Sequence, residues 1–299
     1  MVWQETHAYL HAVMAAGECS ERAHALTGAV IALNGADYSA WSWRWRCVQA
    51  AVSGRACGSQ EAAAPLLEEL RFTELYAEEN AKNYQLWNHR RLVTAALAAM
   101  GERARLRGGA REDAFTAAVL LEDAKNYHAW AHRVWAVQHF GLQEREEAFT
   151  RELIGLDARN NSAWNARFAA ITRQEAALPA QLAELAAAEL RFAEEEVAKD
   201  AHNESVWAYA RGIARAGGLQ QALQDIARRA VEMHPDATHA ASVLADFAEV
   251  AAAASEGEER AAAAARAHSL FAQCLAVDAI RAPYWTFRMR AGELAETAD

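Results

Sequence analysis

The chain is short of the residues that punctuate or staple a fold. Its 299 residues hold 4 prolines, and none forms a linker. The 4 cysteines, Cys19, Cys47, Cys57 and Cys274, are scattered without C-x-x-C spacing, which suits reduced thiols in a cytosolic protein. No apolar run approaches the roughly 20 residues that span a bilayer. The alanine-rich stretches Ala251–Ala254 and Ala261–Ala265 are short and flanked by charges. The start, Met1-Val2-Trp3-Gln4-Glu5, has neither the basic nor the apolar block of a signal peptide. A surplus of positive charge is lacking too: the formal net charge of -10 argues against nucleic acid as the main partner, though it does not forbid a local basic site. Glycine-rich phosphate loops, a G-x-S-x-G elbow and a Ser/His/Asp arrangement are all absent. Gly108-Gly109 and Gly217-Gly218 read as turns or helix stops between helices. Glu194-Glu195-Glu196 and the run Glu256–Glu259 read as solvated faces.

What is present is helix former. Alanine and leucine dominate, beside many Glu and Arg and few β-branched residues. The pattern is also repeated. Alignment on tryptophan gives Asp37-Tyr38-Ser39-Ala40-Trp41, Asn83-Tyr84-Gln85-Leu86-Trp87 and Asn126-Tyr127-His128-Ala129-Trp130. Asn160-Asn161-Ser162-Ala163-Trp164 and Asn203-Glu204-Ser205-Val206-Trp207 follow, then a degenerate copy at Pro283–Arg288. Successive tryptophans from Trp41 to Trp207 are 34 to 46 residues apart, the range of stacked helical hairpins. The gap from Trp207 to Trp285 is about double, and an eroded unit that has lost its tryptophan is expected around His234–Glu249.

Each copy has an internal logic. Asn or Asp stands four residues before the tryptophan, placed to cap a new helix. Arg44, Arg90, Arg133 and Arg167 follow their tryptophans by three residues, and Arg211 follows Trp207 by four. Either spacing puts Trp and Arg on one helix face, where guanidinium can lie against indole or reach a neighbouring carbonyl; interhelix packing is the preferred reading. Amphipathic partner helices are expected over Glu21–Leu33, Ala63–Glu79, Arg111–Glu122, Arg145–Leu156, Leu182–Lys199 and Leu219–Met233. No hairpin can bury its apolar stripe alone. The expectation is an all-α chain, a right-handed α-α superhelix of stacked hairpins. It forms one solenoid over 1–299, with clear repeats at about 20–215 and degenerate ones over 216–299.

The string Asp123-Ala124-Lys125-Asn126-Tyr127-His128-Ala129-Trp130-Ala131-His132-Arg133 closely resembles the signature of the protein prenyltransferase alpha subunit family. So do Lys82-Asn83-Tyr84-Gln85-Leu86-Trp87-Asn88-His89-Arg90-Arg91 and the stretch Ala158–Arg167, with further matches at Ser20-Glu21-Arg22-Ala23 and His202–Trp207. The likeness runs in order and register from about Ser20 to Arg215 and is greatest to the alpha subunit shared by farnesyltransferase and geranylgeranyltransferase type I. The family's acidic, proline-containing leader has no counterpart here, which is read as a trimmed or reduced version. The alanine-rich last third matches poorly.

The resemblance implies half of a heterodimer. Paired with a beta subunit, such a chain transfers a farnesyl or geranylgeranyl group from its diphosphate to the cysteine thiol of C-terminal CaaX motifs. Zinc, and any magnesium assisting the diphosphate, is expected on the partner. Two anions must be met: the isoprenoid diphosphate and the acceptor's terminal carboxylate. Five residues upstream of tryptophan stand Lys82, Lys125, Arg159 and His202, each beside a helix start whose free N–H groups already favour an anion. Arg159 and His202 are read as solvated surface cations, Lys125 as functional. The resemblance gives Lys125 the catalytic role at the departing diphosphate, with Tyr127 as a hydroxyl donor. It places Gln85 at the peptide carboxylate, with Asn160 a further candidate at the same pocket edge. His128 and His132, four apart, could chelate, yet His132 occupies the position held elsewhere by His89, Trp43, Ala166 and Tyr209, so a structural role is preferred and no metal is assigned to this chain. Two alternatives stand beside this reading: a non-catalytic helical-repeat scaffold and the alpha chain of a Rab geranylgeranyltransferase. All three are cytoplasmic proteins without a membrane span.

Overall fold

The computed structural model describes residues 2–53, 55, 59–173 and 179–296, so Cys57, read as a reduced thiol, lies outside the described residues. Those residues form fifteen helices and no strand. None of the helices is long and apolar enough to cross a membrane. The chain divides into two compact units, 1–145 and 146–299.

In the first unit a leading helix, α1 (Val2–Ala15), precedes three hairpins. These are α2 (Glu21–Leu33) with α3 (Tyr38–Val52), α4 (Gln60–Asn80) with α5 (Tyr84–Ala98), and α6 (Glu102–Glu122) with α7 (Tyr127–Phe140). The second helix of each begins as expected. Asp37, Asn83 and Asn126 accept through Oδ1 from the backbone N–H of Ala40, Leu86 and Ala129, at 2.9, 3.1 and 3.0 Å. The buried Trp41, Trp87 and Trp130 then donate Nε1–H to the carbonyl six residues back, Gly35, Ala81 and Ala124, at 2.8–2.9 Å. Two of those carbonyls also receive the cap amide of the following repeat: Asn83 Nδ2 reaches Gly35 O at 2.7 Å and Asn126 Nδ2 reaches Ala81 O at 3.2 Å. One turn carbonyl thus takes a bond from its own tryptophan and another from its neighbour's cap, which sets the stacking register.

The interior between hairpins is charged. Arg90 is wholly buried, and its guanidinium is bonded on both edges and covered on a face. Nε and Nη2 grip Glu112 at 2.8 and 2.7 Å, Nη1 donates to Thr73 Oγ1 at 2.9 Å and Leu70 O at 3.2 Å, and the group lies 3.7 Å from the Phe115 ring centre. Glu112 in turn accepts from His132 Nε2 at 2.6 Å. One repeat earlier the arrangement recurs: Arg44 grips Glu69 at 2.5 and 2.9 Å, reaches Thr27 and lies 3.7 Å over Phe72, while His89 meets Glu69 at 2.7 Å. The expected choice between indole and carbonyl is therefore resolved. The arginines do reach carbonyls, but the ring they cover is a phenylalanine from the next hairpin, because each indole is turned to its own turn carbonyl.

The reading of Gly108-Gly109 as a turn is corrected. Both are buried inside α6, which starts at Glu102 and not near Arg111. A Cβ on Gly109 would stand 3.0 Å from Phe140 Cγ, so the glycines let α7's aromatic ring approach the α6 backbone.

The second unit repeats the scheme with α8 (Gln143–Leu156), α9 (Asn161–Thr172), α10 (Pro179–Lys199), α11 (Glu204–Gly217), α12 (Gln220–Met233), α13 (Thr238–Ala254), α14 (Gly257–Val277) and α15 (Ala282–Glu296). Arg167 grips Glu189 at 2.6 and 2.7 Å beside Phe192, and Tyr209 takes the histidine's place by donating its hydroxyl to Glu189. Asn203 Nδ2 and Trp164 Nε1 share Ala158 O. Gly218, in the left-handed region at φ 69°, stops α11 as expected. The eroded unit is the α12–α13 hairpin: Ala241 stands where tryptophan would, and α13 starts without a side-chain cap. In the last hairpin Trp285 turns its Nε1 to Asp278 at 3.1 Å, and Arg288 pairs back onto α13 through Asp246 and Glu249.

Two outcomes are expected from the buried clusters. Glu112→Gln removes the two-pronged carboxylate from buried Arg90, leaving it only the longer 3.2 Å pair with Glu74, and lowers unfolding free energy by about 3 kcal/mol, whereas Lys82→Ala, which breaks an exposed pair, changes it by under about 1 kcal/mol; urea denaturation measures both. The second concerns pH. Burial would push the Glu112 carboxyl up, but Arg90's charge and His132's hydrogen bond outweigh it and hold the group at about 2, against an ordinary 4.5. Burial holds His89 and His132 below the ordinary imidazole value of 6.5. Each group takes up its proton at higher pH unfolded than folded, so stability is greatest above 6.5, starts to fall as pH drops through that value with the histidines, and continues downward from 4.5 with Glu112. Denaturation midpoints measured between pH about 7.5 and about 3.5 follow that fall.

Candidate functional site

The start of α7 presents the residues that the repeat does not need for packing. Asp123 Oδ1 accepts from Lys125 N at 3.2 Å and Asp123 O from Asn126 N at 3.0 Å, a tight turn that hands the chain to the cap. Asn126 is 3% exposed, so the residues on either side of it are forced outward. Lys125 is exposed, and Tyr127 is 77% exposed, a high value for a tyrosine. The same turn one repeat earlier exposes Lys82 and Tyr84.

These two turns meet along one edge of the first unit. Lys82 Nζ lies 3.5 Å from Asp123 Oδ2, at the foot of the Lys125 turn. His128 stands between the tyrosines, its ring centre 6.2 Å from that of Tyr84 and 5.5 Å from that of Tyr127. Gln85, the second residue of α5, lies just beneath at 7% exposure, its backbone N–H held by Asn83 Oδ1 at 2.8 Å. The edge therefore combines two lysines, two phenolic hydroxyls, an imidazole and the N-terminal ends of α5 and α7, whose dipoles add partial positive charge. Chemically it suits an anion with several oxygens to satisfy.

Lys125 and Tyr127 thus share one turn, and the tyrosine row links them to the start of the helix that carries Gln85. Asn160 belongs to the second unit. It caps α9, accepting from Ser162 N at 3.1 Å, and is 1% exposed. Arg159 and His202 are exposed and face acids, Asp200 at 2.6 Å and Asp236 at 3.7 Å, as surface cations do. His128 and His132 part company: His132 is committed to Glu112, while His128 stays with the tyrosines. Among the described residues no group of three His, Cys, Asp or Glu gathers as a metal cluster would. His128 is the residue sequence reasoning undervalued; its place directly after Tyr127, in the repeat position filled by Gln85, was the available signal.

The family described as the protein prenyltransferase alpha subunit repeat matches four segments, residues 20–51, 66–97, 110–140 and 144–174, each spanning all or most of one hairpin. Four successive hairpins of the chain thus carry the protein prenyltransferase alpha subunit repeat. It is 33% identical over 91 residues to the protein farnesyltransferase/geranylgeranyltransferase type-1 subunit alpha of Schizosaccharomyces pombe, a match over 30% of this chain and 27% of the yeast protein. Its fold is similar to a chain of Candida albicans protein geranylgeranyltransferase-I complexed with GGPP, with a TM-score of 0.78 over 97% of this chain and 90% of that one, at 24% identity. At that identity the second likeness is one of fold.

Because Lys125 and Tyr127 lie outside the buried clusters, Lys125→Ala and Tyr127→Phe are expected to leave folding stability within about 1 kcal/mol of the parent. Thermal and urea denaturation check this, and a larger loss would make these residues structural.

Proposed function

We propose that this chain is the alpha subunit of a heterodimeric protein prenyltransferase, joined to a zinc-carrying beta subunit, that transfers a farnesyl or geranylgeranyl group to the cysteine thiol of C-terminal CaaX motifs. The observation that supports it most is the Lys125-Asn126-Tyr127 turn: a buried cap forces a lysine and a tyrosine outward at a helix start, with Lys82, Tyr84 and His128 beside them. Lys125, Tyr127, Lys82 and Tyr84 are exposed at these turns, where an isoprenoid diphosphate would use them.

In this reading the acceptor thiolate attacks C1 of the isoprenoid, a carbon–sulfur bond forms and the carbon–oxygen bond to diphosphate breaks. The zinc expected on the partner would supply thiolate at neutral pH, and magnesium would help to offset the diphosphate charge. Negative charge grows on the departing oxygens as the bond breaks. Lys125, reaching them with its ammonium, and Tyr127, donating its hydroxyl, act more strongly on that state than on the bound ground state. Gln85 can offer its amide N–H to the acceptor's terminal carboxylate.

The test is kinetic. In the heterodimer formed by co-expression with a cognate beta subunit, Lys125→Ala is expected to lower kcat for a CaaX peptide by about 10²–10³ while the complex still elutes as one species. Unchanged turnover removes Lys125 from the chemistry, and failure to form any complex supports the scaffold reading. Activity on a Rab–escort complex in place of the peptide moves the assignment to the Rab-specific class.

A further inference from the structure

The turn between α1 and α2 is fastened to α3. Trp43 Nε1 donates to Glu18 O at 2.9 Å. Glu18 also takes Arg22 in a two-pronged pair at 2.6 and 2.7 Å and accepts from the Ser20 hydroxyl, so the turn is held firmly. Cys19 is the next residue and is half-buried. Cys47 stands four residues after Trp43, one helical turn further along the same face of α3, and is buried. The Trp43–Glu18 bond therefore brings two free thiols, 28 positions apart in sequence, to neighbouring places, where the Cys19 thiol acts on Cys47. No part of the proposed transfer reaction uses them.

We propose that Cys19 and Cys47 are a redox-responsive pair that closes to a disulfide when the protein meets a peroxide, locking the α1–α2 turn onto α3. The more accessible Cys19 reacts first. Its thiolate attacks one peroxide oxygen, the O–O bond breaks, and the departing hydroxide leaves as water once protonated, giving a sulfenic acid on Cys19. Cys47 Sγ then attacks Cys19 Sγ; the S–S bond forms, the S–O bond breaks, and the leaving hydroxide carries away the Cys47 proton as water. Two thiols are oxidised by two electrons, and one peroxide is reduced to two waters. Burial first, and the Cys19 thiol next, push the Cys47 thiol up to about 11, which suits a resolving partner better than a peroxide sensor.

Hydrogen peroxide treatment of the full chain, followed by non-reducing tryptic mapping, tests the pair. The expected product joins the peptide ending at Arg22 to residues 47–55, with the loss of two hydrogens and full reversal by a thiol reductant. Oxidation should raise the thermal midpoint by roughly 5–10 °C, as a cross-link closing a loop of this length does. In Cys47→Ser the midpoint stays put under peroxide and Cys19 is trapped as a sulfenic acid by dimedone. A linkage through Cys57, or Cys19 passing to sulfinic acid in the parent with Cys47 still free, overturns the proposal.

Discussion

The structure depends on one interaction, the two-pronged grip of a buried arginine on a glutamate in the next hairpin. Arg44 on Glu69, Arg90 on Glu112 and Arg167 on Glu189 are three copies of it, each sealed by a threonine behind, a phenylalanine over the guanidinium face and a histidine or tyrosine on the far carboxylate edge. Two charges in a dry interior are not an efficient way to gain free energy, since desolvation cancels much of their attraction. Their use is discrimination. A hydrophobic interface between alanine-rich helices can slide by one turn at small cost; a buried fork that must find one carboxylate cannot. Repeats so alike need such a register device to stack in one order.

That device frees the ends of the helices. The asparagine cap and the tryptophan share a turn carbonyl, so the turns are held from inside while the lysine and tyrosine flanking the Asn126 cap stand at the surface. Lysine at one side and tyrosine at the other can then be chosen for what they meet outside. The proposed chemistry sits where the repeat places the fewest demands on a side chain.

Much of this was legible in the sequence, because the hairpin period, the caps and the tryptophans are local patterns. The eroded hairpin at α12–α13 was found from spacing alone. What escaped were partnerships between distant residues. Glu69, Glu112 and Glu189 look like ordinary charges on amphipathic helices, and only the recurrence of Glu-x-x-Phe, with Thr seventeen residues before each Arg, hints at their burial. Gly108-Gly109 misled because glycine marks both turns and close approaches, and the ring that fills the approach, Phe140, comes from another helix. Cys19 and Cys47 carried no spacing signal, since a turn and a helix bring them together. For the site, the turn that exposes Lys125 and Tyr127 was readable, while His128's place between two tyrosines was not.

The central claim is that the lysine and tyrosine forced outward by the buried Asn126 cap meet the diphosphate of an isoprenoid donor. The most direct measurement is the structure of the heterodimer, reconstituted with its beta subunit, holding an isoprenoid diphosphate. Lys125 Nζ and the Tyr127 hydroxyl are expected within about 3 Å of diphosphate oxygens. A diphosphate bound in the complex with neither group in reach would contradict it.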